Sequence, residues 1–232
     1  MKGSIKKSIF LTLLIFSCAT GPKIIRRMIP VQAKKIEIKG DKASQEKEGV
    51  RITVEYMNRK KLFEIAKENN PYIDNSGGPI LTTFKIVVEN KRDTKIYFEP
   101  ENAVLLDGLG NQFNALTYDT FKELYPSSIY QQAEYSFIFN RYYVETYYTD
   151  DYRKRQKAAK SLFKGGTIYP KVKVEGILPF QRVSEHSRNI TLILPDIILY
   201  QHTADTNNNG ETKEEKRIEF KFKFRQKIVR IK

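Results

Sequence analysis

Cysteine occurs once in the 232 residues, histidine twice and tryptophan not at all. A single thiol excludes a disulfide framework and any zinc or iron–sulfur site built from cysteines. Two histidines, His186 and His202, give little scope for a His-rich metal or catalytic centre, and both sit in polar loop-like surroundings. Glycine and proline are sparse, at 12 and 9, while 40% of residues are hydrophobic, which excludes collagen-like, mucin-like and wholly disordered chains. Acidic residues are also short: 27 Asp+Glu against 41 Lys+Arg leave a net charge of +14. That surplus suits an anionic partner such as lipid headgroups, acidic glycans, nucleic acid or acidic proteins. The length corresponds to about one and a half average domains, so one domain with appendages is expected.

The apolar run Ile9–Phe16 follows Lys2, Lys6 and Lys7 and falls well short of the roughly 20 residues of a membrane-spanning helix. A positive n-region before a short apolar stretch is the pattern of an export signal, read as residues 1–17. It ends Ile15-Phe16-Ser17-Cys18, which resembles the bacterial lipoprotein lipobox, and the chain's one cysteine stands where a lipobox needs it. The resemblance implies a diacylglyceryl thioether on Cys18, cleavage before it, and membrane lipid as the first partner. Phe16 is bulkier than the residue usual at its position. Ala19 stands where an inner-membrane retention signal would place Asp, which by the same resemblance implies a cell-envelope protein on the outer membrane facing the periplasm. Two or three acyl chains anchor stably where one is marginal. Loss of the signal removes three lysines and lowers the net charge to +11.

Residues 18–49 hold Pro22, Pro30, Gly40 and many Lys and Glu, and are expected to form a flexible basic tether. Within it Lys23, Arg26 and Arg27 either meet anionic headgroups or are solvated linker charges. From Val50 to about residue 226 the pattern is that of short strands. Val50, Ile52, Val54 and Tyr56 alternate with polar residues, and Ile218, Phe220, Phe222 and Phe224 alternate with Glu219, Lys221 and Lys223. Asn58–Lys67 suits a short helix, and Asp107-Gly108-Leu109-Gly110-Asn111 is a hairpin signal. Thr117–Tyr125 reads as helix stopped by Pro126, and the Gly- and Pro-free stretch from about Ser128 to Lys164 reads as a long helix or helix pair. The expectation is a mainly β antiparallel sandwich, with a helical insert at about 117–164 and a basic tail at 227–232.

Phe84–Asn90 leading to Ile96–Asp107, and Gly166–Phe180 later, resemble the Ig-like domains of bacterial envelope lipoproteins. The similarity covers about Val50 to Arg225 without the helical insert. It implies an Ig-like β-sandwich and no particular activity, since such domains have diverse roles. Lys171 stands where those domains usually carry glycine.

The chain contains no G-x-S-x-G elbow, P-loop, dinucleotide fingerprint or helical H-E-x-x-H, so a non-enzymatic protein without cofactor is expected. Paired carboxylates such as Asp150 and Asp151 are the remaining acid–base candidates. Asp205–Gly210 matches the opening of a calcium loop, but Lys216 stands where a bidentate glutamate is required, and a polar hairpin tip without metal is the better reading. Ser128–Tyr152 holds nine of the 28 aromatics. Either these tyrosines pack on the core or they form a contact surface, because Tyr offers large area at low entropy cost. The residues singled out for binding an envelope protein or glycan are Tyr135, Phe139, Tyr142, Tyr143, Tyr147, Arg153, Lys154, Arg155 and Lys157. An exported lipoprotein rarely has nucleic acid as its target. The expected role is a non-catalytic interaction or scaffold module; the alternative is a solute- or glycan-binding lipoprotein with an aromatic-lined pocket. Metabolic labelling with a fatty acid is expected to tag the wild type and miss Cys18→Ser; equal labelling of the two removes the lipoprotein reading.

Overall fold

The computed structural model describes the backbone of residues 23–74, 78–125, 129–136, 141–203 and 212–231, and the side chains of 27–74, 78–125, 149–200 and 215–227. The signal segment, Cys18, Phe139 and the Asp205–Gly210 loop lie outside the described residues. The chain is mainly β, with all strand ladders antiparallel.

One sheet has five strands: β2 (Ile36–Lys39), β3 (Lys42–Lys47), β4 (Val50–Tyr56), β5 (Thr82–Asn90) and β12 (Lys173–Phe180), ordered β12-β5-β4-β3-β2. The other has seven. It runs β1 (Lys23–Pro30), β14 (Thr212–Ile231), β13 (Asn189–Thr203), β6 (Ile96–Phe98) and β11 (Gly166–Ile168), with β7 (Val104–Asp107) on β13 and β8 (Gln112–Asn114) on β7. Period-two alternation turns Val50, Ile52, Val54, Phe84, Ile86 and Val88 inward from the first sheet, and Phe220, Phe222, Phe224, Leu192 and Leu194 inward from the second. All belong to one core. Phe84 is its hub, with ring centroids 5.1 Å from Phe224 across the two sheets, 5.9 Å from Tyr56 and 6.2 Å from Phe180. β13 changes neighbours along its length. Its residues 190–193 pair with β7 and 198–199 with β6, and the register slips between Leu194 and Ile197. Pro195 donates no backbone hydrogen bond and Asp196 has φ 51°, so the ladder bulges there.

A smaller core closes one edge. It joins Leu62 of α1 (Arg59–Ile65), Tyr72, Phe121 and Tyr125 around α2 (Tyr118–Leu124), Ala158 of α3 (Asp150–Ser161) and Ile177 of β12. Each helix starts on a capping side chain: Asn58, Thr117 and Thr149 accept from the backbone N–H of Lys61, Thr120 and Tyr152. Buried Asn70 closes the far end of α1, donating to the Leu62 and Ala66 carbonyls at 2.6 and 2.9 Å.

Three expectations are corrected. The stretch expected to be helical from Ser128 contains β9 (Ile129–Ser136) and β10 (Arg141–Tyr148), an antiparallel pair that among the described residues is hydrogen-bonded to neither main sheet; of its described residues only Asp150–Ser161 are helical. Absence of Gly and Pro permits a helix, but the Tyr, Val, Ile and Thr content favours strands. The expected tether is folded from Lys23 onward. Met28, Ile36 and Ala43 enter the core, and Gly40 and Gly49 sit at positive φ in the turns. The expected basic tail is also strand, since β14 continues to Ile231 paired with β1.

Two buried details set local stability. Gly176 in β12 lies against the end of α3, where a Cβ would stand 2.4 Å from Phe163 Cα and 2.6 Å from its nitrogen, while Phe163 N–H donates to Ile177 O at 2.8 Å. Gly176→Ala must push α3 off the sheet and is expected to lower stability by about 1–3 kcal/mol, read from denaturant melts. Asp107, 7% exposed, accepts from Leu109 N–H, Asn111 N–H and Asn111 Nδ2, all at 2.9 Å. Desolvation pushes its carboxyl up, but these hydrogen bonds with that of Gly110 outweigh it and hold the pKa below the ordinary value. A depressed carboxyl contributes stability that is complete above its unfolded value of about 4 and disappears as pH falls through the folded value. Asp107→Asn is therefore expected to weaken the protein at neutral pH and to shrink the loss of melting temperature below about pH 4. An unchanged acid limb contradicts this account.

Candidate functional site

The aromatic region forms a two-stranded ribbon. Its register sets Tyr142 opposite Tyr135, Tyr143 opposite Glu134 and Tyr147 opposite Tyr130. The ribbon is placed by its flanks, since α2 precedes it and α3 follows it directly, and both helices are pinned in the smaller core through Phe121, Tyr125 and Ala158. Tyr125 donates its hydroxyl to Pro71 O at 2.8 Å, and Tyr72 exchanges a 2.6 Å hydrogen bond with Ser161. Burial pushes the Tyr72 phenol pKa upward, so the hydroxyl stays protonated, a structural bond rather than a proton store.

The cations expected beside the tyrosines do not share one face. Arg153 alone of the four is exposed, 3.6 Å from Asp150. Lys154 lies 5.2 Å over the Tyr125 ring and 3.7 Å from Asp151, Arg155 lies 5.4 Å over the Tyr152 ring, and Lys157 Nζ donates to Glu68 O. Of these contacts, Lys154 on Tyr125 and Lys157 on Glu68 tie α3 to its neighbours, while the others lie within the helix. Asp150 and Asp151, the carboxylate pair, occupy the first turn of α3, favourable beside its N-terminal dipole, and each is ion-paired. His186 is exposed in a loop, and His202 lies within β13 opposite Lys213 rather than in a loop. Among the described residues no group of three His, Cys, Asp or Glu is placed to hold a metal ion, and no helix is long and apolar enough to cross a membrane.

Two concave places stand out. A cleft of about 300 Å³ runs between Glu99–Glu101, Ala115–Tyr118 and the end of α3, floored by Ile177 and Leu178, with Tyr118 and Phe163 in its wall. The second is a charged trough on the outer face of the five-stranded sheet. It is two hollows of about 280 and 540 Å³ that share Lys42, Glu55, Lys85 and Glu175. Several of its charges pair with one another: Lys61–Glu55 at 2.7 Å, Lys61–Asp41 at 3.1 Å and Lys85–Glu175 at 2.9 Å. Burial works against the charge on Lys61, yet hydrogen bonds from its ammonium to Glu55 and Asp41 leave its pKa raised.

The outer face of the seven-stranded sheet is different. β14 carries Arg217, Glu219, Lys221, Lys223, Arg225 and Lys227 there, and β1 adds Arg27. Arg217 pairs with Asp196 and Lys221 with Glu219, at 3.6 and 2.7 Å. Sequence reasoning missed this face although its signal is legible, because the polar partners of Phe220, Phe222 and Phe224 are nearly all cations. No protein-family model, no curated protein and no solved structure matches this chain.

Proposed function

We propose that this chain is a lipid-anchored protein of the bacterial cell envelope, whose Ig-like β-sandwich is a non-catalytic interaction module that offers the tyrosine-rich ribbon to an envelope protein or glycan. The observation that carries the reading is the isolation of β9–β10, a pair of eight-residue strands outside both main sheets. A lone two-stranded ribbon is marginal in water, so its tyrosines need a surface to pack on, and Tyr is suited to recognition. The two antiparallel sheets closing on one aromatic core support the Ig-like assignment. The lipobox resemblance of Ile15–Cys18 supports the anchor, and Ala19 the outer membrane.

The 300 Å³ cleft favours a second reading, a solute-binding lipoprotein. It is at the lower end of ligand-pocket size and has two aromatics in its wall.

Site-specific photo-crosslinking in intact cells separates the two. A photoreactive residue at Tyr143 or Tyr147 is expected to give a discrete adduct that Tyr130→Ala, on the same face of the ribbon, weakens, and one at exposed Tyr169 is expected to give none. Adducts of equal yield at all three positions, or none at the ribbon, defeat the docking reading. A small solute that raises the melting temperature of the wild type but not of Tyr118→Ala favours the cleft instead.

A further inference from the structure

We propose that the outer face of β14 and β1 is a membrane-apposed surface that binds anionic lipid headgroups; the choice of membrane rests on the lipid-anchor reading above. Lys223, Arg225, Lys227 and Arg27 are all exposed, and no described acidic group forms an ion pair with them. Alternate residues of a strand lie about 6.8 Å apart on one face, so Lys223 to Lys227 span about 14 Å, with Arg27 one strand away. The register places Arg27 directly opposite Lys227. Like charges directly opposed destabilise a ladder, and an external anion offsets that cost. The outer face of the five-stranded sheet differs, because its cross-strand neighbours alternate in sign: Lys42 stands opposite Glu55 and Glu55 opposite Lys85, while Arg51 stands opposite Glu46 and Glu89.

The chain length between anchor and fold selects a lipid surface over other polyanions. Cys18 precedes Lys23, the first residue of β1, by five residues, which reach at most about 18 Å. Arg27 lies four residues further along β1, with Lys227 opposite it on β14, so an acylated Cys18 keeps this end of the sheet near the headgroups. The same strand ends carry Lys23, Arg26 and Arg230 in sequence. Each cation at an anionic surface adds about fivefold to the partition. Exposed Ile29, beside Arg27 on β1, pairs with Arg225 and adds an apolar contact at the headgroup level.

The test uses the full chain reconstituted in vesicles of phosphatidylcholine alone or with about one-third phosphatidylglycerol, with lysine acetylation read by mass spectrometry. Lys221, Lys223 and Lys227 are expected to react about threefold or more slowly on the anionic vesicles than on the neutral ones, with the difference lost at high salt. Lys39, Lys60 and Lys67 are exposed elsewhere and are expected to react equally on both. The variant Lys223→Glu/Arg225→Glu/Lys227→Glu is expected to remove the protection of Lys221, whereas Lys39→Glu/Lys60→Glu/Lys67→Glu, with the same charge change, keeps it. Equal reactivity on both vesicles, or equal loss in both variants, overturns the proposal. So does stronger protection by soluble heparin or oligonucleotide than by the anionic vesicles. Fatty-acid labelling of the same samples keeps the two ideas apart: lipidation with no protection refutes the face alone, while protection in an unlipidated chain refutes the anchor alone.

Discussion

The ring of Phe84, held between Phe224 of the opposite sheet and Tyr56 and Phe180 of its own, is the contact on which the two-sheet arrangement turns. Aromatic pairs of this kind contribute about 0.5–1.5 kcal/mol each beyond the area they bury. Their larger effect is to fix register. Phe84 faces inward only if Ile86 and Val88 do, and Phe224 only if Phe220 and Phe222 do; a slip by one residue would turn lysines into the core. The inner faces therefore dictate what is left outside, and the two outer faces are where the strands differ.

On the five-stranded sheet the outer residues alternate in sign across strands, and the exposed pairs among them are worth little individually. Their effect is to offset charge locally: Lys61 bridges Glu55 and Asp41, and Lys85 bridges Glu175. On the seven-stranded sheet the same alternation leaves a row of cations on β14, with β1 adding Arg27 instead of a carboxylate. This is an imbalance of placement, beyond the surplus of positive charge in the composition. Buried Asn90 shows how much polar order the opposite edge needs by comparison. Its amide donates to Thr94 O, Ile168 O and Tyr169 O at 2.9–3.1 Å, and its oxygen accepts from Arg92 N–H, tying β5 to the segments around β6 and β11.

Much of the fold is legible in the sequence because burial on one face writes a period of two. Val50–Tyr56 and Arg217–Arg225 fall in strands for that reason, and the short helices are marked by Asn58, Thr117 and the stop at Pro126. The ribbon is not legible in the same way. Tyrosine is amphipathic, so a run such as Tyr142-Tyr143 or Tyr147-Tyr148 shows neither helical nor strand period, and strand propensity decides. Residues 23–47 fail for another reason: edge strands such as β1 and β2 carry lysines and a proline that guard them against further pairing, and that composition imitates a linker. Of the site residues, the four ribbon tyrosines share one strand pair, but its register sets Tyr135 and Tyr142 on one face and Tyr143 and Tyr147 on the other, and the cations of α3 are dispersed by its own periodicity. The 100° step between successive residues sends Lys154 and Lys157 inward and Arg153 outward.

The edges of the two sheets settle how the two proposed surfaces relate. β3 meets β14 on one side of the sandwich: Lys47 lies 5.2 Å over the Phe220 ring and Glu48 pairs with Lys216 at 3.0 Å, where the lysine holds the carboxyl below its ordinary pKa. β1 lies beyond β14 on that side. On the other side Phe98 of β6 packs 5.5 Å from Phe163, which follows α3, and α3 leans on β12 through Gly176. The ribbon springs from α2 and α3 on this second side. β1, the described strand nearest Cys18 in sequence, and the helices that flank the ribbon thus belong to opposite edges of the sandwich. The two proposed surfaces differ in chemistry: long-range attraction to an anionic surface needs charge but little shape, which suits the cations, while a specific partner needs contact area, which suits the tyrosines.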